Sequence, residues 1–130
     1  MKKIIAKILP KAVGSYINFL SLWAPQKAFD LAYKLFSNPR KGQLQASELP
    51  QILQSAQRET LQKNGHSFET YHWAGNATTV LLVHGWESNT ARWEKLLAHL
   101  QKSGFSILAL DAPAHGLSSG REFNIPLYAS

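Results

Sequence analysis

The chain has 130 residues, enough for one domain or part of one, and its hydrophobic share of 45% is that of a globular protein. The absence of cysteine excludes disulfides, thiolate catalysis and cysteine-ligated zinc, and it suits a reducing, cytoplasmic setting. The net charge of +6 is unevenly placed: residues 1–41 hold eight Lys or Arg and one acid, Asp30, hence +7, while the remaining residues net −1. No basic patch with readout elements stands out in the later residues, which argues against nucleic acid as a partner.

In chain order, residues 3–23 read as an amphipathic helix. Ile5, Ile8 or Leu9, Ala12, Tyr16, Leu20 and Trp23 recur at helical spacing, and Lys3, Lys7 and Lys11 follow at i, i+4 on another face. Pro10 is expected to bend this helix or start it afresh. Lys2 and Lys3 ahead of apolar residues imitate the start of a secretory signal, but Lys7, Pro10 and Lys11 interrupt it and no small-residue cleavage site follows. The longest charge-free run of these N-terminal residues, Ala12 to Gln26, is shorter than the ~20 residues of a spanning helix. A basic amphipathic start of this kind makes residues 1–36 a candidate for peripheral membrane contact. The plainer reading is a helical pair packed on the rest of the chain.

A second helix is expected from Pro25 to about Phe36, with proline in its first turn. Asn38-Pro39 ends it, and residues 40–47 read as a polar linker. The expected division is therefore residues 1–47, helices and linker, and residues 48–130, a folded domain. Residues 48–56 read as a short helix carrying Leu49, Ile52, Leu53 and Ala56.

Asn64-Gly65 then signals a hairpin, because a type I′ turn needs positive φ at both central residues. Its second strand alternates, with Phe68, Thr70 and His72 on one face and Glu69, Tyr71 and Trp73 on the other. After a turn at Gly75-Asn76, Val80–Val83 form a continuous apolar run, as expected of a strand covered on both faces. Residues 90–102 read as a helix with Trp93, Leu96, Leu97 and Leu100 at i, i+3, i+4, i+7, capped by Thr90 and ended by Ser103-Gly104. Phe105–Leu110 is a second buried strand. Strand, helix and strand within about 30 residues make a βαβ unit with parallel strands.

Two segments carry chemistry, each directly after one of these strands. His84-Gly85-Trp86 follows the first. A glycine there lets the backbone turn sharply, so that the next N–H points into the crevice at the strand's C-terminal end, where open α/β sheets bind ligands. Such an N–H stabilises a developing oxyanion without reorganising. Leu110 to Gly120 (LDAPAHGLSSG) follows the second. Asp111 and Pro113 make a tight turn, and His115 and Gly116 shape the loop beyond.

Together these segments resemble the α/β-hydrolase family. HGW matches its His-Gly-X oxyanion segment, and DAPAHGLS matches its Asp-x-x-Gly-x-Gly-x-Ser-like turn, with Ala114 where glycine is more usual and a local adjustment expected. The resemblance covers roughly residues 57–128. It implies an α/β fold: a partial hydrolase sheet, hairpin plus βαβ unit, preceded by the N-terminal helices. It also implies that Trp86 gives its backbone N–H to the oxyanion, with His84, Gly85, Asp111, His115 and Gly116 as structural loop residues. HGW is similar to the segment of carboxylesterases acting on carrier-linked or small acyl esters. A small acyl ester is then the expected substrate, with no cofactor and no metal.

Gly116-Leu117-Ser118-Ser119-Gly120 satisfies G-x-S-x-G, the nucleophile elbow. An elbow needs a strand running straight into it and a helix straight after it, and the family order is Ser, acid, His. Here a proline-containing loop precedes Ser118, Pro126 follows, and no histidine comes later. The nucleophile, acid and base are therefore expected beyond Ser130, and residues 1–130 alone are expected to be inactive, with an open sheet edge prone to self-association. The fold also hosts haloalkane dehalogenases, epoxide hydrolases and acyltransferases. The rival reading is a shortened, non-catalytic chain that binds a membrane surface or a protein partner.

Overall fold

The computed structural model describes residues 2–129, and only the backbone of residues 2–7 and of Leu127. The chain divides into two compact units, Met1–Ser37 and Asn38–Ser130.

In the first unit, α1 (Lys2–Trp23) packs against α2 (Pro25–Ser37). Pro10 lies inside α1 and neither ends nor restarts it. One N–H bond is lost there, and the later turns of α1 keep the helix going against α2. Ala24 alone joins the two helices: its N–H donates to the Leu20 carbonyl, and its carbonyl accepts from the Ala28 N–H. Pro25 occupies the first helical position, where its missing N–H costs no helical bond.

The second unit begins at Asn38 and takes in residues 40–47, expected to be a polar linker. This segment is tied down: Gln43 bridges Gly116 in parallel, and the Leu44 N–H donates to the Gly116 carbonyl (2.9 Å). A short 3-10 turn, Ala46–Glu48, and α3 (Gln51–Gln54) follow, so the helix expected over 48–56 is shorter and starts later. The hairpin forms as read, with β1 (Gln57–Lys63) and β2 (His66–Trp73) joined by Asn64 (φ 50) and Gly65 (φ 77).

β3 (Thr79–Val83) and β4 (Ser106–Leu110) are parallel neighbours, connected through a 3-10 turn, Thr90–Trp93, and α4 (Glu94–Lys102). The sheet order is β1-β2-β4-β3, so β3 is an edge strand. Asn89, not Thr90, caps the connecting helical segment: its side chain accepts from the Ala91 N–H, while the Thr90 N–H turns to Asp111.

The core lies on one face of the sheet, where Tyr71, Trp73, Leu82, Ile107 and Ala109 pack with Leu49, Leu53 and Leu97. Two-sided burial of β3 and β4 is corrected by the structure. Leu81, Val83 and Leu108 are 56%, 47% and 38% exposed on the opposite face. Their register, Leu81 beside Leu108 and Val83 beside Leu110, keeps that apolar face continuous. An uninterrupted apolar run marks a strand as core-like, but it cannot say which of its faces has a covering layer.

Candidate active site

Because β3 and β4 are parallel and in register at Val83–Leu110, the segments that follow them emerge at the same end of the sheet. His84, Gly85, Trp86, Asp111, His115 and Gly116 are thereby brought together. The left-handed residue of this turn is not Gly85 but Glu87, with φ 50. Nor is a glycine needed there for space, since a Cβ at residue 85 would meet nothing within 4 Å. Left-handed φ is costly for a non-glycine residue. At Glu87 it is held from both sides, by its N–H donating to His115 Nε2 (2.9 Å) and its carboxylate accepting from the Arg40 N–H (3.0 Å). The Trp86 N–H, one residue earlier, has no hydrogen-bond partner among the described residues. Its indole is 42% exposed and lies beside His115 and Phe123, with ring centroids 6.0 and 5.8 Å away.

Asp111 is more than a turn former. It is fully buried, and its carboxylate takes three donors: the Thr90 N–H on Oδ1 (2.9 Å), and the Tyr71 hydroxyl (2.9 Å) and Leu117 N–H (3.0 Å) on Oδ2. Bonds to an ionised group contribute about 1.5–3 kcal/mol each, so Asp111 joins β2, the start of the connecting helix and its own loop. Burial, followed by the Asp111 charge, pushes the Tyr71 hydroxyl far above its ordinary range. Tyr71 therefore stays a donor. Gly116 is required by this carboxylate: at φ 51, a Cβ on residue 116 would overlap Asp111 Oδ2. Ala114 adopts φ 60, the left-handed conformation that the more usual glycine would take without strain.

Both histidines of the site are spoken for. His84 Nδ1–H donates to the Gly85 carbonyl and its Nε2 accepts from the Ala112 N–H, each at 2.9 Å. His115 repeats the pattern, with Nδ1–H donating to the Pro113 carbonyl (2.8 Å) and Nε2 accepting from Glu87. Carbonyls only accept and N–H groups only donate, which fixes both rings as neutral, Nδ1-protonated imidazoles. The 3.9 Å approach of His84 Nε2 to Asp111 Oδ1 is consequently not an ion pair. Burial lowers the His84 pKa from its ordinary 6.5, against the opposing pull of the Gly85 carbonyl and the Asp111 charge. Neither ring has a nitrogen left to act as a general base.

Ser118, inside the elbow-like match, is held by backbone. Its hydroxyl donates to the Asp111 carbonyl (2.6 Å) and accepts from the Glu69 N–H (2.9 Å). The Ser119 hydroxyl accepts from the Ser67 N–H (2.8 Å). These two side chains continue the hydrogen bonding of β2 past the point where β4 stops. They are not arranged as a nucleophile beside a base.

Three contributors were missed in the sequence. The strap at residues 40–45 is one: Gly42, at φ +100, lies so close that a Cβ would be 2.6 Å from His115 Cδ2 and 2.7 Å from the Ser88 carbonyl. A lone glycine in a polar stretch was the available signal. Phe123 is another, stacked edge-on to His115 at 5.2 Å. Tyr128, from α5 (Ile125–Ala129), is the third: its ring lies 5.4 Å from Phe123, and its buried hydroxyl has no partner among the described residues. Burial, with a smaller push from Asp111, raises its pKa to about 12.

Residues 78–127 match a family model described as the alpha/beta hydrolase fold. Among solved structures, the chain is similar to a thioesterase domain of the curacin biosynthetic pathway (24% identity, TM-score 0.46, over 50% of this chain and 24% of that one). It is also similar to a CIB-like hydrolase of Thermoplasma acidophilum (26% identity, TM-score 0.43, over 51% and 34%). A third is an epoxide hydrolase of Vigna radiata (21% identity, TM-score 0.46, over 55% and 23%). The chain thus spans only about a quarter to a third of the length of these structures. No curated protein matches it.

Proposed function

We propose, from the match of residues 78–127 to the alpha/beta hydrolase fold, that the Trp86 backbone N–H is the oxyanion donor of an acyl-transfer site for small carboxylic esters. The observation that carries this reading is the Trp86 N–H. It is unpartnered among the described residues, it follows a parallel strand at its C-terminal end, and it adjoins the open space at Gly85. A ligand oxygen placed there would meet this donor. Asp111, His84, His115 and Gly116 hold the two loops that set its direction.

The attacking nucleophile and its acid and base would come from outside the described residues, since both site histidines and Ser118 are committed to backbone groups. A serine elbow would make an esterase or acyltransferase, an aspartate elbow a dehalogenase or epoxide hydrolase. The same commitments favour a second reading, a chain without catalysis of its own. Ester turnover decides between them.

The role belongs to the backbone of Trp86. In a form of the protein that turns over an ester, Trp86→Phe should keep most of the rate, and Trp86→Pro, lacking the N–H, should lose about 10²–10³-fold. Equal rates for the two variants, both folded by circular dichroism, would remove Trp86 from the oxyanion site.

A further inference from the structure

The helices of the first unit carry apolar surface that their pairing leaves open. In α1 the less exposed side chains Val13, Ile17 and Leu20 fall on one face. About a quarter turn round the helix from them runs a second stripe, Tyr16, Phe19 and Trp23, which are 56%, 63% and 80% exposed. α2 repeats the arrangement. Its buried Ala28 is on one side, and Phe29, Tyr33 and Phe36, at i, i+4, i+7, are 64%, 44% and 78% exposed on another. Rings set at helical spacing and left in water mark a surface that is covered in use.

We propose that this helical pair is an interfacial membrane-binding element, laying its aromatic stripes into the headgroup region of an anionic bilayer. Charge selects this occupant. Residues 1–37 carry six cationic side chains against one acid, a balance that complements anionic lipid. Lys27 and Lys34 share a face of α2 away from Phe29 and Phe36, with Asp30 between them in sequence. Ring chemistry agrees, because Trp and Tyr join an apolar body to a polar tip and favour the membrane–water boundary. No helix among the described residues is long and apolar enough to cross a membrane, so the element lies on the surface.

The test mixes the 130-residue chain with vesicles of phosphatidylcholine alone or phosphatidylcholine with phosphatidylglycerol, and measures co-sedimentation. Partitioning into the anionic vesicles should exceed that into the neutral ones by about tenfold or more, and should fall as salt rises from about 0.05 to 0.5 M. Phe19→Ser/Trp23→Ser/Phe36→Ser should lower it by about tenfold. Lys27→Gln/Lys34→Gln should lower it less and flatten the salt response. Should the ring variant lose helicity, the lysine variant and the salt series still decide. Equal binding to both vesicles, unchanged binding by the ring variant, or lipid-free self-association abolished by the ring substitutions would each overturn the proposal.

Discussion

At the scale of single residues, the two site loops are held by His84, His115, Asp111 and Ser118, each committed to backbone hydrogen bonds. His84 is the one whose protonation should be read in stability. Its pKa in the folded chain is depressed below 6.5, chiefly by burial. The fold therefore favours the neutral ring, and its contribution is complete above pH 6.5. As pH falls below that value, the unfolded chain binds a proton that the folded chain refuses. Stability then declines by up to about 1.4 kcal/mol per pH unit until the folded-state pKa is reached. Protonation would also put a hydrogen on Nε2, where the Ala112 N–H now donates. Urea unfolding of the wild type and His84→Gln between pH 5 and 8 checks this. The stability difference between them should shrink toward the acid side, and a difference independent of pH would contradict the buried neutral assignment.

At the scale of elements, β3 is the vulnerable one. It pairs with β4 on one side only, and its outward N–H and C=O groups form an open edge. Beside that edge, Leu81 and Val83 point to the uncovered face. An apolar edge of this kind pairs with another chain unless charge prevents it. The isolated chain is accordingly expected to self-associate as its concentration rises in analytical ultracentrifugation. Leu81→Lys/Val83→Lys should shift it toward monomer, because neither side chain belongs to the core. Association unaltered by the two lysines would place the contact elsewhere. The hairpin was legible because Asn64-Gly65 dictates its turn, and the βαβ unit because its apolar periods change from strand to helix and back. The one-sided cover of β3 was not legible, since a run of valine and leucine looks the same with one covered face or two. The strap at residues 40–45 was hidden for another reason. Its bonds go to Gly116 and Asn89, far along the chain, and its composition is that of any polar loop.

At the scale of the whole molecule, the second unit brings the loops that follow β3 and β4 to one end of a partial α/β sheet, within residues that match the alpha/beta hydrolase fold. HGW and DAPAHGLS pointed to two loops that the structure brings to one end of the sheet, because histidine and glycine in the first and aspartate, histidine and glycine in the second build a recognisable pair of turns. The wiring between them was not announced. Tyr71 reaches Asp111 across 40 residues, and His115 meets Glu87 across 28. Alternation marked Tyr71 as facing one side of its strand, but no local pattern names the partner of a buried hydroxyl. Ser118 shows the opposite failure of pattern alone: it satisfies a nucleophile motif, yet its hydroxyl joins the Asp111 carbonyl to the Glu69 N–H. The central claim is that the described residues supply oxyanion stabilisation and loop architecture but no activated nucleophile. It is tested most directly by hydrolysis of a short-chain nitrophenyl ester by purified residues 1–130, beside Ser118→Ala. Background rates in both proteins are the predicted result, and a rate well above background that vanishes in Ser118→Ala would contradict it.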